Sequence, residues 1–118
     1  MVKCFDVVKD VAEEATRQFS PDIVLVPERL DILREYCEAI DTVAAATYAE
    51  SFEAEVDEER LTVIISVECA AFQIESVSSP FYELIERAVS FGFYANSDGN
   101  TVAYFEFPRL WERIEDTE

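Results

Sequence analysis

YAESFEAEVDEERLTVIISVECAAFQIE, residues 48–75, carries the clearest pattern in this chain. Two runs within it alternate apolar and polar residues with period two, the repeat of a half-buried strand. In the first run Tyr48, Phe52, Ala54 and Val56 fall on one face, with Ala49, Ser51, Glu53 and Glu55 on the other. In the second, Leu61, Val63, Ile65, Val67 and Cys69 share a face, with Thr62, Ser66 and Glu68 opposite. Asp57, Glu58, Glu59 and Arg60 make the turn. An even-numbered loop pairs Val56 with Leu61, Ala54 with Val63, Phe52 with Ile65 and Tyr48 with Cys69. Both apolar sets then land on one side, the agreement between register and pattern that a hairpin requires. Beyond Cys69 the phase changes, because Phe72 and Ile74 continue the even-numbered face, and a bulge is expected near Ala70 and Ala71. Glu50 interrupts the apolar face opposite Val67. A carboxylate there needs a hydrogen-bonded or charged partner, or access to water. Tyr48 and Cys69 are its expected neighbours, which makes these three residues a candidate pocket.

The flanking sequence supplies helices and a second hairpin. Residues 3–19 place Phe5, Val8, Ala12, Ala15 and Phe19 on one helical stripe, which Pro21 ends. Asp22 to Val26 reads as a short strand or an extended connection. Pro27 then opens a helix over 28–45, with Leu30, Leu33, Cys37, Ile40 and Ala44 facing the core. Ser79 and Pro80 start a third helix over 79–89. In 90–107, Asn96-Ser97-Asp98-Gly99 favours a type I turn with Gly99 in the left-handed region, pairing Asn96 with Asn100. That register puts Phe91, Phe93 and Ala95 with Ala103, Phe105 and Phe107 on a core face, and Tyr94 with Val102 and Tyr104 on the other. Pro108 stops the strand, and Leu110, Trp111 and Ile114 suggest a short C-terminal helix. The whole is expected to be one α+β domain, 1–118: a mainly antiparallel sheet of two hairpins, about 48–75 and 90–107, covered on one face by helices.

Charge and composition exclude more than they assign. The formal net charge is −17, with 26 acidic residues against two lysines and seven arginines. Direct binding to nucleic acid or to an anionic membrane is disfavoured, since both need a Lys/Arg stripe. No apolar run approaches the ~20 residues of a membrane span. Lys3, Asp6, Lys9, Asp10, Glu13, Glu14 and Arg17 are incompatible with a signal-peptide core over the first 19 residues. Cys4, Cys37 and Cys69 show no C-x-x-C spacing and fall on apolar faces, so they read as buried thiols of a cytoplasmic protein.

Chemistry is constrained by what is missing. Without histidine there is no Ser/His or Cys/His nucleophile pair and no histidine zinc ligand. With glycine only at 92 and 99, phosphate-cradling glycine loops cannot form. Glu53 and Glu55 are neighbours on one strand, but among 26 acids such a pair carries no specific signal for a metal. No cofactor or metal is expected. The candidate binding residues are therefore Glu50, Tyr48 and Cys69 at one end of the first hairpin, the Tyr94, Val102 and Tyr104 patch on the second, and Trp111. They suit a non-catalytic interaction domain that meets a partner protein or a second copy in a homodimer. An acidic chaperone or decoy for a basic or nucleic-acid-binding protein is the alternative that the charge suggests, and a small enzyme working through Glu50 is the third.

Overall fold

A computed structural model describes residues 3–46, 49–70 and 79–114. The expected α+β class is observed, with three helices and two antiparallel sheets among the described residues. Helix α1 spans Cys4–Gln18, strand β1 Ile23–Leu25, helix α2 Pro27–Ala46, strands β2 Ala49–Asp57 and β3 Thr62–Cys69. Helix α3 spans Ser79–Arg87, followed by β4 Ser90–Ala95, β5 Thr101–Phe107 and β6 Trp111–Arg113. The larger sheet has the order β2-β3-β5-β4, so the two hairpins join through their inner strands, β3 and β5.

The core lies between this sheet and the helices. Val63, Ile65, Val67 and Cys69 of β3 are buried with Ala103, Phe105 and Phe107 of β5. Against them pack Cys4, Val8 and Ala12 of α1 and Leu33, Tyr36, Cys37, Ile40 and Ala44 of α2. The predicted stripes therefore reach the core because period two and period 3.6 both gather their apolar positions on one side. The N-terminus of α1 has no side-chain cap from its own flank. Its Cys4 N–H instead donates to Asp41 Oδ1 on α2, 3.0 Å away.

From Ser51 onward the first hairpin keeps its predicted faces but shifts its register. Val56 pairs with Val63, Ala54 with Ile65 and Phe52 with Val67, two residues from the expected partners. An even shift preserves which side each residue faces. The cause lies in the turn, where Leu61 belongs to the loop with φ +59°. Asp57 Oδ1 accepts the Glu59 and Arg60 amides, both at 3.0 Å, and the Leu61 N–H donates to the Asp57 carbonyl at 2.8 Å. A left-handed leucine costs roughly 1–2 kcal/mol. Burying its side chain contributes a comparable amount, roughly 1.5–3 kcal/mol, and Leu61 is fully buried.

The hairpin carries an irregularity in β2, while the bulge expected near Ala70 and Ala71 falls at a position that runs outside the described residues. Ala49 pairs with Cys69 while Ser51 pairs with Glu68, leaving Glu50 as the extra residue of a bulge. The bulge reverses the phase, so that Ala49 packs against the core. Phe52, not Glu50, stands opposite Val67.

The C-terminal segment is a strand, not the expected short helix. Leu25 pairs with Trp111, Val24 with Glu112 and Ile23 with Arg113, forming a second, two-stranded sheet. Flanking bonds from Val26 N to Leu110 O (3.1 Å) and from Ile114 N to Asp22 O lengthen the ribbon. The extended 23–25 segment needs partners for its backbone groups, and 111–113 supplies them. The ambiguity over Asp22 to Val26 is thus resolved as a strand.

Candidate functional site

The sheet face away from the helices is formed by alternate residues of all four strands. The observed register aligns Ser51, Glu68, Val102 and Tyr94 in one row, and Glu53, Ser66, Tyr104 and Gly92 in the next. The second hairpin has the predicted register throughout, fixed by Gly99 at φ +82° and by the Asn96 N–H donating to the Asn100 carbonyl at 2.9 Å. Asn96 Oδ1 accepts the amides of Asp98 and Asn100, and Asn100 Nδ2 donates to Glu68 Oε2 at 2.7 Å. The turn is thereby tied to β3.

Tyr94, Val102 and Tyr104 share this face. Tyr94 and Val102 are direct cross-strand partners, and the Tyr94 and Tyr104 rings lie 6.3 Å apart at 42°. Val102 is buried, whereas Tyr94 is more than half exposed. The Tyr104 ring lies across Gly92: a Cβ there would overlap its phenol end. A depression of about 180 Å³ runs between Ser51, Glu53, Ser66, Glu68, Tyr94, Asn96 and Val102.

Of the other sequence candidates, Cys69 and Trp111 can be placed. Tyr48 and the Glu50 side chain lie outside the described residues. Cys69 is buried, is not in a disulfide, and directs its thiol towards the Val67 carbonyl at 3.8 Å. Trp111 is wholly buried rather than offered to a partner: its Nε1–H donates to Thr16 Oγ1 at 2.9 Å and its ring meets Phe19 edge-on at 5.3 Å.

Two features escaped the sequence reading. Glu106, only 3% exposed, holds a carboxylate whose Oε2 accepts the Thr62 hydroxyl at 2.6 Å. Its Oε1 accepts Ser90 Oγ at 2.9 Å and Arg60 Nη1 at 3.2 Å. Both oxygens are thus occupied by donors on three separate elements. Only its position in the alternation, between Phe105 and Phe107, marked it as facing away from the core.

The second feature is the outer strand β4. Phe91 and Phe93, expected in the core with Phe105 and Phe107, are 46% and 39% exposed, and Tyr94 on the opposite face is 53% exposed. Phe91 stands beside buried Phe105, but on β4, which among the described residues is the outer strand of the sheet. Among the described residues β4 pairs only with β5, and its sequence SFGFYA contains no charge and no proline. At the other edge, β2 carries Glu50, Glu53, Glu55 and Asp57. Charged residues are the usual means of preventing strand addition at a sheet edge, and only β2 has them.

Among the described residues, no group of histidine, cysteine and acidic side chains is placed to hold a metal ion, and no helix is long and apolar enough to cross a membrane. Comparison with protein-family models, with curated proteins and with solved structures finds no match to this chain.

Proposed function

We propose that this chain is a non-catalytic, cytoplasmic protein-interaction domain that takes up an extended cationic segment of a partner along the outer edge of β4. The contrast between the two sheet edges carries this reading. An uncharged aromatic edge strand offers backbone hydrogen bonds for affinity, and alternating Phe91, Phe93 and Tyr94 contacts for selectivity, as in β-strand addition. Val89, more than half exposed and next to Ser90 in the chain, extends the apolar surface at the start of the strand.

Charge favours a basic partner over a second copy. Two chains of −17 repel, whereas a Lys/Arg-rich segment gains from the same field. The buried carboxylate of Glu106 does not suggest catalysis, because both its oxygens already accept hydrogen bonds.

The test is titration with two synthetic octapeptides, alternating Lys-Val and alternating Glu-Val, followed by amide NMR. The Lys-Val peptide should shift the amides of Ser90–Ala95, with affinity falling as salt rises, and the Phe91→Ser/Phe93→Ser variant should bind at least about tenfold more weakly. Shifts spread over the acidic surface, or an undiminished affinity in the variant, would sink the β4 site. A dimer detected by light scattering with the β4 amides protected would replace the cationic partner with a second copy.

A further inference from the structure

We infer that a cleft where the first turn of α2, the end of α3 and the β5–β6 connection meet binds a small organic carboxylate with an apolar body. Its volume is about 430 Å³, and it is lined by Arg29, Ile32, Arg87, Phe107, Pro108 and Arg109. That size falls in the range of small-molecule sites. None of these residues belongs to β4, so this is a second site, independent of the strand edge.

The lining reverses the character of the whole molecule. Acids outnumber arginines 26 to 7 in the chain, yet three arginines and no acid line the cleft. Two of the three are held in place by neighbouring acceptors. Arg29 Nη1 donates to the Arg109 carbonyl at 2.8 Å, and its Nη2 meets Glu112 Oε1 at 2.7 Å. Arg109 Nε donates to the Trp111 carbonyl at 3.1 Å and stands 3.9 Å from Glu112 Oε2. Glu112 thus offsets one of the three charges. Arg87 makes no ion pair among the described residues; its guanidinium sits 5.5 Å from the Tyr36 ring. Two net positive charges remain beside an apolar wall of Ile32, Phe107 and Pro108.

Forked guanidinium donors suit the two oxygens of a carboxylate, and their attachment to a fixed backbone reduces the ordering cost on binding. The apolar wall then selects for the rest of the ligand. A polyphosphate would leave that wall uncovered and would meet the repulsion of the surrounding acidic surface. A monocarboxylate with an aliphatic or aromatic body uses both halves.

Octanoate is the probe, with octanol as its uncharged counterpart, read by calorimetry and amide NMR. Octanoate should bind saturably at one site with a Kd of about 1 mM or tighter, shifting the Ile32, Arg87 and Phe107 amides, with octanol at least about tenfold weaker. Arg87→Gln and Arg109→Gln should each weaken octanoate by about tenfold or more, and Arg87→Lys by less, because it keeps the charge but loses the fork. Urea melts establish which variants are folded; should Arg87→Gln not fold, Arg87→Lys and Arg109→Gln carry the same comparison. Equal binding of octanol, shifts confined to β4, no saturation, or folded variants that bind as the parent does would each overturn the inference. The β4 proposal would stand or fall separately, on the peptide titration.

Discussion

Thr16 settles how the single tryptophan is buried. Its hydroxyl donates to the Ala12 carbonyl at 2.7 Å, which leaves the oxygen lone pairs to accept Trp111 Nε1–H from 95 residues away. An indole buried without an acceptor loses its hydration with nothing in exchange, at a cost of about 1–3 kcal/mol. Thr16→Val should therefore destabilise the fold by that amount, while Thr16→Ser, which keeps the acceptor, should lose less. The measurement is the urea midpoint of each variant, with the slope of the transition unchanged. Equal losses in the two variants would show that the methyl group, not the hydroxyl, matters. A tryptophan near the end of the chain is legible in sequence as something that must be covered. Its partner is not, because nothing local connects positions 16 and 111.

The hairpins show which elements can be read locally. In 90–107 the turn chemistry is complete within five residues, so the register followed from Asn96, Asp98 and Gly99 alone. In 51–69 the alternation gave the faces, but not the pairing. A leucine in the left-handed region is uncommon, and the choice of Leu61 depends on the core and on the Leu110 N–H, which donates to its carbonyl at 2.9 Å. The bulge at Glu50 has the same character, since its reversal of phase delivers Ala49 to the core.

Within β4, Gly92 has a packing role: it leaves room for the Tyr104 ring on the neighbouring strand. Gly92→Ala should cost about 1 kcal/mol in the parent, because the phenol must swing away, yet be neutral or stabilising in a Tyr104→Ala background, where the reduced entropy of the unfolded chain is all that remains. A double-mutant cycle by urea denaturation measures this coupling. Simple additivity would show that the ring and the glycine act independently.

At the scale of the molecule, alkaline pH is the condition that strains the core. The Cys4 thiol is raised first by its hydrogen bond with Cys37, then by burial, and burial raises the Tyr36 phenol in the same direction. In the unfolded chain these groups ionise near their ordinary values, about 8.5 and 10. Because their folded values are higher, the native state retains protons that the unfolded state releases. Stability should therefore be level through neutral pH and decline once pH exceeds about 8.5, by up to about 1.4 kcal/mol per pH unit for one thiol, with a steeper fall above about 10. Urea midpoints from pH 7 to 10.5 follow the decline, and Cys4→Ala should flatten its first part. A midpoint that does not move over this range would contradict the account.

The strands of the two hairpins, the faces of residues 51–69 and 90–107, the helical stripes and the acidic surface were determined by the sequence alone, since side-chain periodicity, turn chemistry and charge are properties of neighbouring residues; the 23–25 and 111–113 strands and the side taken by Ala49 were not. Only the tertiary structure decided which apolar faces are covered. Phe91 and Phe105 belong to the same pattern and the same row, yet Phe105 is buried beneath the helices and Phe91 is left at the edge. The same holds for Arg29, Arg87 and Arg109, scattered along the chain and gathered at one cleft. Coverage and convergence depend on where distant elements end, which no local pattern encodes.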